Sequence, residues 1–233
     1  MNIRLSVLAG VFVLAGCAVQ PDTLTEDVLL SDGWKIQSCA AVTYCGEQLS
    51  GADADLDGWY DASVPSTVLG ALTTAGLFDG ALEGTEYYSA IDRDLFKDGW
   101  WFVKRFDAPS LEDGQRAVLN FEGISYRAEV WFNGKKIAGS DEIAGPFKQF
   151  SIDVTDDIME KNCLAVKVLR AEPGEFNIGF VDWNPRAADE SMGIFRPVWI
   201  RYCNKVSLSE SFVSSSFEND DFSTAYLKVR ATL

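Results

Sequence analysis

The sequence predicts an all-β fold, a two-sheet antiparallel sandwich with one short helix. Apolar and polar residues alternate in short segments spaced along the chain, of which residues 117–122, 127–132 and 164–168 are examples. Asn133-Gly134 follows the second of these segments, and this pair is typical of a two-residue hairpin turn. Many short strands separated by Gly, Asn and Pro turns favour a sandwich.

Two segments between residues 59 and 106 carry the clearest element signals. Residues 66–77 are predicted to form the helix, because apolar residues recur there at helical spacing and Gly76 lies near its end. Trp100 and Trp101 begin a strand, and adjacent residues of a strand face opposite sides. At least one of these two indoles is therefore expected in the core.

The strand before Asn133 separates its residues into two faces. Ala128, Val130 and Phe132 share one face and are expected in the sandwich core. Trp131 lies on the other face with Arg127 and Glu129 and is expected to pack against the next sheet layer or a neighbouring domain.

The start of the chain predicts export and lipid anchoring. Residues 1–16 are predicted to be a lipoprotein signal peptide, with Arg4 before an apolar run that is shorter than the ~20 residues of a spanning helix. Leu14-Ala15-Gly16-Cys17 resembles a bacterial lipobox, so Cys17 is predicted to be lipidated and the protein to be held in the outer membrane of the cell envelope. An ordinary signal peptide with an incidental Cys17 is the alternative. Residues 17–30 are polar and are predicted to be a tether.

Net charge and composition exclude several classes of function. The net charge of −15 argues against nucleic acid as a partner, because phosphates require clustered Lys and Arg. The chain has no His, which excludes a Ser-His-Asp site and a His-ligated metal within it. Asp53, Asp55, Asp57 and Gly58 begin a calcium-loop pattern, but its twelfth position is Val64 instead of Glu. We therefore predict an acidic turn there, with no metal and no cofactor.

Four cysteines remain after Cys17. An even number in an exported chain permits disulfides, and Cys39, Cys45, Cys163 and Cys203 allow three connectivities. Cys39 with Cys45 would close a small loop, and Cys163 with Cys203 would join two strands. Buried free thiols are the alternative.

The candidate binding residues are Asp182, Trp183 and Asn184, which precede Pro185 in a polar-aromatic elbow. A carboxylate accepts hydrogen bonds from sugar hydroxyls, and an indole packs against the apolar face of a pyranose. Pro185 biases Asn184 away from helix and stiffens the turn. In the alternative interpretation Trp183 is a core residue and Asp182 caps the turn.

Several segments together resemble one known family. Asp182-Trp183-Asn184-Pro185, followed by residues 192–199 (MGIFRPVW), resembles the end of the N-terminal sugar-binding domain of glycoside hydrolase family two, in its exo-β-glucosaminidase and β-mannosidase branch. Residues 123–137 (GISYRAEVWFNGKKI) and 64–68 (VPSTV) also match. Residues 79–88 depart from the family, where an Asp-Pro-Tyr motif is expected.

The resemblance implies an architecture and a division of labour. It implies a jelly-roll, galactose-binding-like domain over residues 31–203, whose Asp182, Trp183 and Asn184 line the sugar subsite of a separate catalytic barrel. It implies an incomplete immunoglobulin-like unit over residues 204–233. The catalytic carboxylates are expected in C-terminal domains, so no catalytic residue is predicted here, and the family's Asn-Glu acid/base pair is absent.

Three functions follow as hypotheses. The first is the non-catalytic N-terminal part of an exported exo-β-glycosidase that acts on a β-linked oligo- or polysaccharide. The second is a surface-anchored carbohydrate-binding module without catalysis. The third is a scaffold that only supports a barrel, because fold alone does not decide function.

Overall fold

The computed structural model describes residues 26–78, 90–177, 186–204, 208–218 and 220–232. Ten strands form the sandwich. They are β1 (Glu26–Leu29), β2 (Trp34–Ser38), β3 (Tyr60–Ala62), β5 (Trp100–Asp107), β6 (Arg116–Phe121), β7 (Arg127–Phe132), β8 (Lys135–Ala144), β9 (Phe150–Asp153), β10 (Lys161–Leu169) and β12 (Val198–Cys203). Two short strands, β4 (Ser66–Thr67) and β11 (Gly193–Ile194), pair with each other.

The strands form two antiparallel sheets, which confirms the predicted sandwich. One sheet has four strands in the order β1-β12-β6-β9. The other has six strands in the order β3-β2-β5-β10-β7-β8. The hairpin at Asn133-Gly134 is confirmed, since both residues have the positive φ angles, 50° and 83°, of a two-residue hairpin turn.

The main core lies between the two sheets. Leu119 and Phe121 reach it from the four-stranded sheet, and Phe102, Phe132 and Val166 reach it from the six-stranded sheet. The predicted core face of β7 is confirmed, because Ala128 and Val130 are fully buried there as well. Burial at this scale is the main source of stability, at about 25 cal/mol for each Å² of apolar surface removed from water.

The predicted boundary of the tether at residue 30 is wrong. Residues 26–29 form β1, which pairs antiparallel with β12 from Glu26↔Tyr202 to Leu29↔Trp199. Leu30 is buried in the core, and its N–H donates to the Val198 carbonyl at 2.8 Å. A short strand at a sheet edge takes its conformation from its distant partner, which a local pattern does not reveal.

The predicted helix is confirmed as α2 (Val68–Thr74), although Ser66 and Thr67 belong to β4. Thr67 caps α2, because its hydroxyl accepts a hydrogen bond from the Gly70 N–H at 3.1 Å. A second helix, α1 (Gly46–Leu49), was not predicted. Within the described ranges no helix is long and apolar enough to cross a membrane.

The six-stranded sheet is buried on both faces. Trp100 faces the main core, whereas Trp101 faces outwards and packs against Trp131 with ring centroids 5.2 Å apart. Leu49 of α1 and Val103 complete this outer cluster. Trp131 therefore packs against α1 and the chain around it, where a further sheet or a neighbouring domain was expected.

Residues 209–232 form a separate hairpin of β13 (Ser209–Phe217) and β14 (Ala225–Thr232). In the part of the chain that the structure describes, this hairpin pairs with no other strand. Val213, Leu227 and Val229 lie on it with more than half of their surface exposed. Its membership of an immunoglobulin-like unit stays a prediction.

We expect Gly46→Ala to destabilise the protein by about 1–3 kcal/mol, because a Cβ at Gly46 would overlap the indole of Trp131. Urea unfolding followed by tryptophan fluorescence measures this loss. Gly70→Ala is the matched control, since a Cβ there meets only the hydroxyls of Ser66 and Thr67. Equal stability of the two variants would contradict the packing described for α1.

Candidate functional site

The predicted elbow, with Asp182, Trp183 and Asn184, lies outside the described residues, as does Cys17. The described chain reaches Asn177 on one side of the elbow and resumes at Arg186 on the other. The residues on these two sides show how the elbow joins the sandwich.

Asp189 anchors the segment that follows the elbow. Its side chain is only 1% exposed, and its two carboxylate oxygens accept hydrogen bonds from the Leu69 N–H at 2.8 Å and the Ser191 N–H at 2.9 Å. Leu69 lies in the first turn of α2, so the carboxylate joins this segment to a distant helix. Burial raises the pKa of Asp189 above its ordinary value of 3.8, against the opposing effect of these hydrogen bonds.

Arg93 holds the first two residues after the elbow. Its guanidinium donates to the carbonyls of Arg186 at 3.0 Å and Ala187 at 3.1 Å. Arg93 begins the 3-10 helix Arg93–Phe96, whose Phe96 is fully buried in the main core. Phe96 anchors this 3-10 helix in the core, and Arg93 of the same helix holds the backbone of Arg186 and Ala187.

The two sides of the elbow also contact each other. The side-chain amide of Asn177 donates to the Glu190 carbonyl at 3.3 Å, and Arg186 lies 3.6 Å from the Glu190 carboxylate. Glu175 forms an ion pair with Arg127 of β7. The described residues on the two sides of the elbow therefore lie next to each other.

A cavity of about 110 Å³ lies between these contacts, lined by residues 170–175, Asn177, Arg186 and Glu190. Small-molecule sites usually measure ~300 to 1,000 Å³, so this cavity is too small to be a complete sugar site. Glu175 and Glu190 on its wall are engaged in ion pairs. The described residues thus hold the chain on either side of the elbow. Asp189 is too deeply buried to contact a substrate.

The short strand β11, which follows residues 186–192, packs closely against β4. Gly193 pairs with Thr67, and its N–H and carbonyl both bond to Ser125. A Cβ at Gly193 would lie 2.5 Å from the Ser66 carbonyl oxygen, so only glycine fits there. Three separate segments therefore meet where the chain returns to the sandwich.

The structure holds all four described cysteines as free thiols. Cys163 and Cys203 are not joined, since Cys163 belongs to the outer cluster of the six-stranded sheet and Cys203 belongs to the opposite sheet, which favours the alternative of free thiols. Cys39 and Cys45 are also unpaired, and burial raises the pKa of the Cys39 thiol to about 12. Burial likewise raises the pKa of Cys163, so both thiols are protonated at neutral pH.

The acidic loop forms a turn. The Asp55 carboxylate accepts a hydrogen bond from the Asp57 N–H at 2.9 Å. In the described ranges no three Cys, Asp or Glu side chains come together as a metal site would require.

Comparison with known proteins agrees with this fold and with this topology. Residues 34–173 match the glycosyl hydrolase 2 galactose-binding domain-like family. The chain belongs to this family. The exo-β-D-glucosaminidase of Streptomyces avermitilis is 32% identical over 201 residues, which cover 85% of this chain and 22% of that enzyme. The mannosylglycoprotein endo-β-mannosidase of Lilium longiflorum is 31% identical and covers 85% of this chain and 23% of that enzyme.

The crystal structure of the Amycolatopsis orientalis exo-chitosanase CsxA has the same domain. It superimposes with a TM-score of 0.80 at 27% identity, and the match covers 88% of this chain and 24% of that one. This glycosyl hydrolase 2 domain therefore spans between a fifth and a quarter of the length of these relatives.

Sequence reasoning did not find Asp189 or Arg93 as supports of the site. Asp189 is followed by Glu190 and Ser191, so its sequence context is that of an ordinary polar loop and carried no signal of burial. Arg93 carried no local signal, since its partners are 93 and 94 residues away.

We expect the stability that Asp189 confers to fall as pH rises. The raised pKa means that the folded protein binds this proton more tightly than the unfolded chain. The part of this contribution that is linked to the proton is therefore full below the unfolded value of 3.8 and is lost as pH rises through the folded pKa, whereas the ionised carboxylate still accepts the two backbone hydrogen bonds. We therefore expect the difference in free energy of unfolding between the native protein and Asp189→Ala to decrease as the pH rises above 3.8. Urea titrations at several pH values measure it, and a difference that grows with pH would contradict the linkage.

Proposed function

We propose that this chain is the N-terminal, non-catalytic part of an exported exo-β-glycosidase. The observation that carries the proposal is the alignment with exo-β-D-glucosaminidase, which covers 85% of this chain and 22% of the enzyme. The chemistry of the relative is thus attached to a polypeptide several times longer than the matched region. The proposed substrate is a β-linked oligo- or polysaccharide with a terminal glucosamine.

In this proposal the elbow forms one wall of the sugar subsite. Asp182 accepts hydrogen bonds from sugar hydroxyls, Trp183 packs against the ring and Asn184 supports the turn. The anchors at Asp189 and Arg93 support it, because a positioned binding group must keep its geometry to within a fraction of an ångström. The two carboxylates that cleave the glycosidic bond lie in other domains of the same protein.

The type of sugar is the least constrained part of the proposal. The Lilium longiflorum relative is an endo-β-mannosidase and shares 31% identity, against 32% for the glucosaminidase. The glucosamine assignment follows from the match to CsxA, whose crystal structures include a complex with PNP-β-D-glucosamine.

A second candidate is a surface-anchored carbohydrate-binding module. The sandwich has its own closed hydrophobic core, which is the property that a stand-alone module needs. Titration of the purified chain with glucosamine oligomers separates the two functions. A module binds these sugars unaided, whereas a subsite wall binds them weakly or not at all.

The purified 233-residue chain should not hydrolyse chromogenic β-glycosides, because it lacks the Asn-Glu acid/base pair. The control is the longer gene product that contains this chain, assayed with the same substrates. Turnover by the chain alone, after removal of contaminating glycosidases, would refute the division of labour.

We expect Asp182→Ala, made in that longer protein, to raise KM and to lower kcat/KM by about 1–3 kcal/mol, the usual loss for a hydrogen bond to a charged group. Steady-state kinetics with a glucosaminide measure both constants. Asp220→Ala is the control, since Asp220 lies on the separate hairpin region. Unchanged kinetics would remove Asp182 from the subsite.

We further propose that Cys17 is lipidated and that the protein is held in the outer membrane. The lipobox-like run before Cys17 supports this, and several acyl chains on one residue give stable anchoring. Cys17→Ser should release the protein from membranes into the soluble exported fraction. Retention of this variant in washed membranes would show that the anchor is not at Cys17.

A further inference from the structure

A second concave region lies on the outer face of the six-stranded sheet. Residues 50–58, between α1 and β3, cross this face. The Arg105 guanidinium of the sheet donates to the carbonyl of Ala54, which is one of these residues. A cavity of about 340 Å³ lies on the β10 side of this crossing, and one of about 380 Å³ lies on the β2 side. Both volumes fall within the usual range of ~300 to 1,000 Å³ for small-molecule sites.

We call the cavity on the β10 side the outer-face cavity. It is formed by the ends of three strands and the loop after α1. Its lining residues are Ser50, Gly51, Ala52, Arg105, Phe106, Asp107, Asn133, Met159, Lys161, Asn162 and Cys163.

The wall of the outer-face cavity is preorganised. The Asn133 amide donates to the Asn162 side-chain oxygen at 2.9 Å and to the Asp157 carbonyl at 2.8 Å. Asn162 is 3% exposed and also bonds in both directions to the Met159 backbone. A wall fixed in this way loses little conformational entropy when a ligand binds.

The rim of the cavity carries charges of both signs. Asp107 on β5 stands opposite Lys161 on β10, and Arg105 stands opposite Cys163. Among the described residues, neither Asp107 nor Lys161 belongs to an ion pair within 4.0 Å, so both keep hydrogen-bonding capacity. Met159, 54% exposed, adds an apolar surface beside them.

We propose that the outer-face cavity binds a neutral saccharide. A sugar hydroxyl both donates and accepts, so neighbouring hydroxyls can donate to Asp107 and accept from Lys161 or Arg105. The apolar face of the ring packs on Met159, whereas the Phe106 ring faces the main core and stacks on Phe132. Asp107 repels an anionic ligand, and Lys161 and Arg105 repel a cationic one. A ligand without net charge therefore fits this rim best.

This cavity lies far from the point at which the chain leaves β10 towards the elbow. The cavity lies at the Lys161 end of β10, and the chain leaves the Leu169 end of the same nine-residue strand towards the elbow. Nine strand residues span about 27 Å at about 3.4 Å per residue. One sugar unit cannot occupy both places, so the outer-face cavity would hold a second part of a polysaccharide or a second chain.

Titration of the ¹⁵N-labelled chain tests the proposal, with cellobiose and mannobiose as neutral probes, glucuronate as the anionic probe and glucosamine as the cationic probe. A neutral disaccharide should shift the amide signals of residues 50–52, 133 and 159–163. Asp107→Asn and Lys161→Gln should each weaken its binding by about tenfold, since each removes a charge-assisted hydrogen bond without removing an ion pair of the protein.

Asp220→Asn and Lys228→Gln are the matched controls, because they make the same changes on the separate hairpin region and should leave binding unchanged. Three outcomes overturn the proposal: no neutral disaccharide shifts these signals, glucuronate or glucosamine alone shifts them, or the controls weaken binding as much as the cavity variants. The test is independent of the proposed glycosidase function, since it reads no turnover.

Discussion

The structure around the predicted elbow depends on one buried carboxylate. Asp189 joins two backbone N–H groups, from Leu69 and from Ser191, that lie 122 residues apart in sequence. The Leu69 N–H would otherwise be buried without this partner, which costs about 1–3 kcal/mol, and the Ser191 N–H is partly buried. The carboxylate is desolvated in return, and its raised pKa is the sign of that cost. Its two hydrogen bonds tie residues 189–191, which follow the elbow in sequence, to the first turn of α2.

The six-stranded sheet explains how one domain can offer two concave regions. Both of its faces are covered along the first half of β5, where Trp100, Trp101, Phe102 and Val103 are all buried in succession. The inner cover is the four-stranded sheet, with the main core between the two. The outer cover is α1 with its flanking loops, and it is too short to reach the ends of β5 and β10. The outer-face cavity is the part of the sheet that this short cover leaves open.

The local patterns predicted the elements whose neighbours lie close in sequence. The hairpin at Asn133-Gly134 and the helix capped by Thr67 are of this kind. The two faces of β7 followed from strand periodicity in the same way. The sequence did not reveal β1, whose partner strand begins more than 160 residues later, or the anchors Asp189 and Arg93. Pairings between distant segments leave no local trace, and the binding residues Asp182, Trp183 and Asn184 rest on family resemblance and chemistry alone.

The central claim is that Asp189 and Arg93 hold the segment after the elbow in place. Hydrogen–deuterium exchange of peptides that cover residues 186–192 tests it most directly, in the native protein and in Asp189→Ala and Arg93→Met. Both variants should exchange faster there at neutral pH, with unchanged exchange in β7, while Asp94→Ala on the same 3-10 helix should behave as the native protein does. Unchanged exchange over residues 186–192 in both variants would contradict the account.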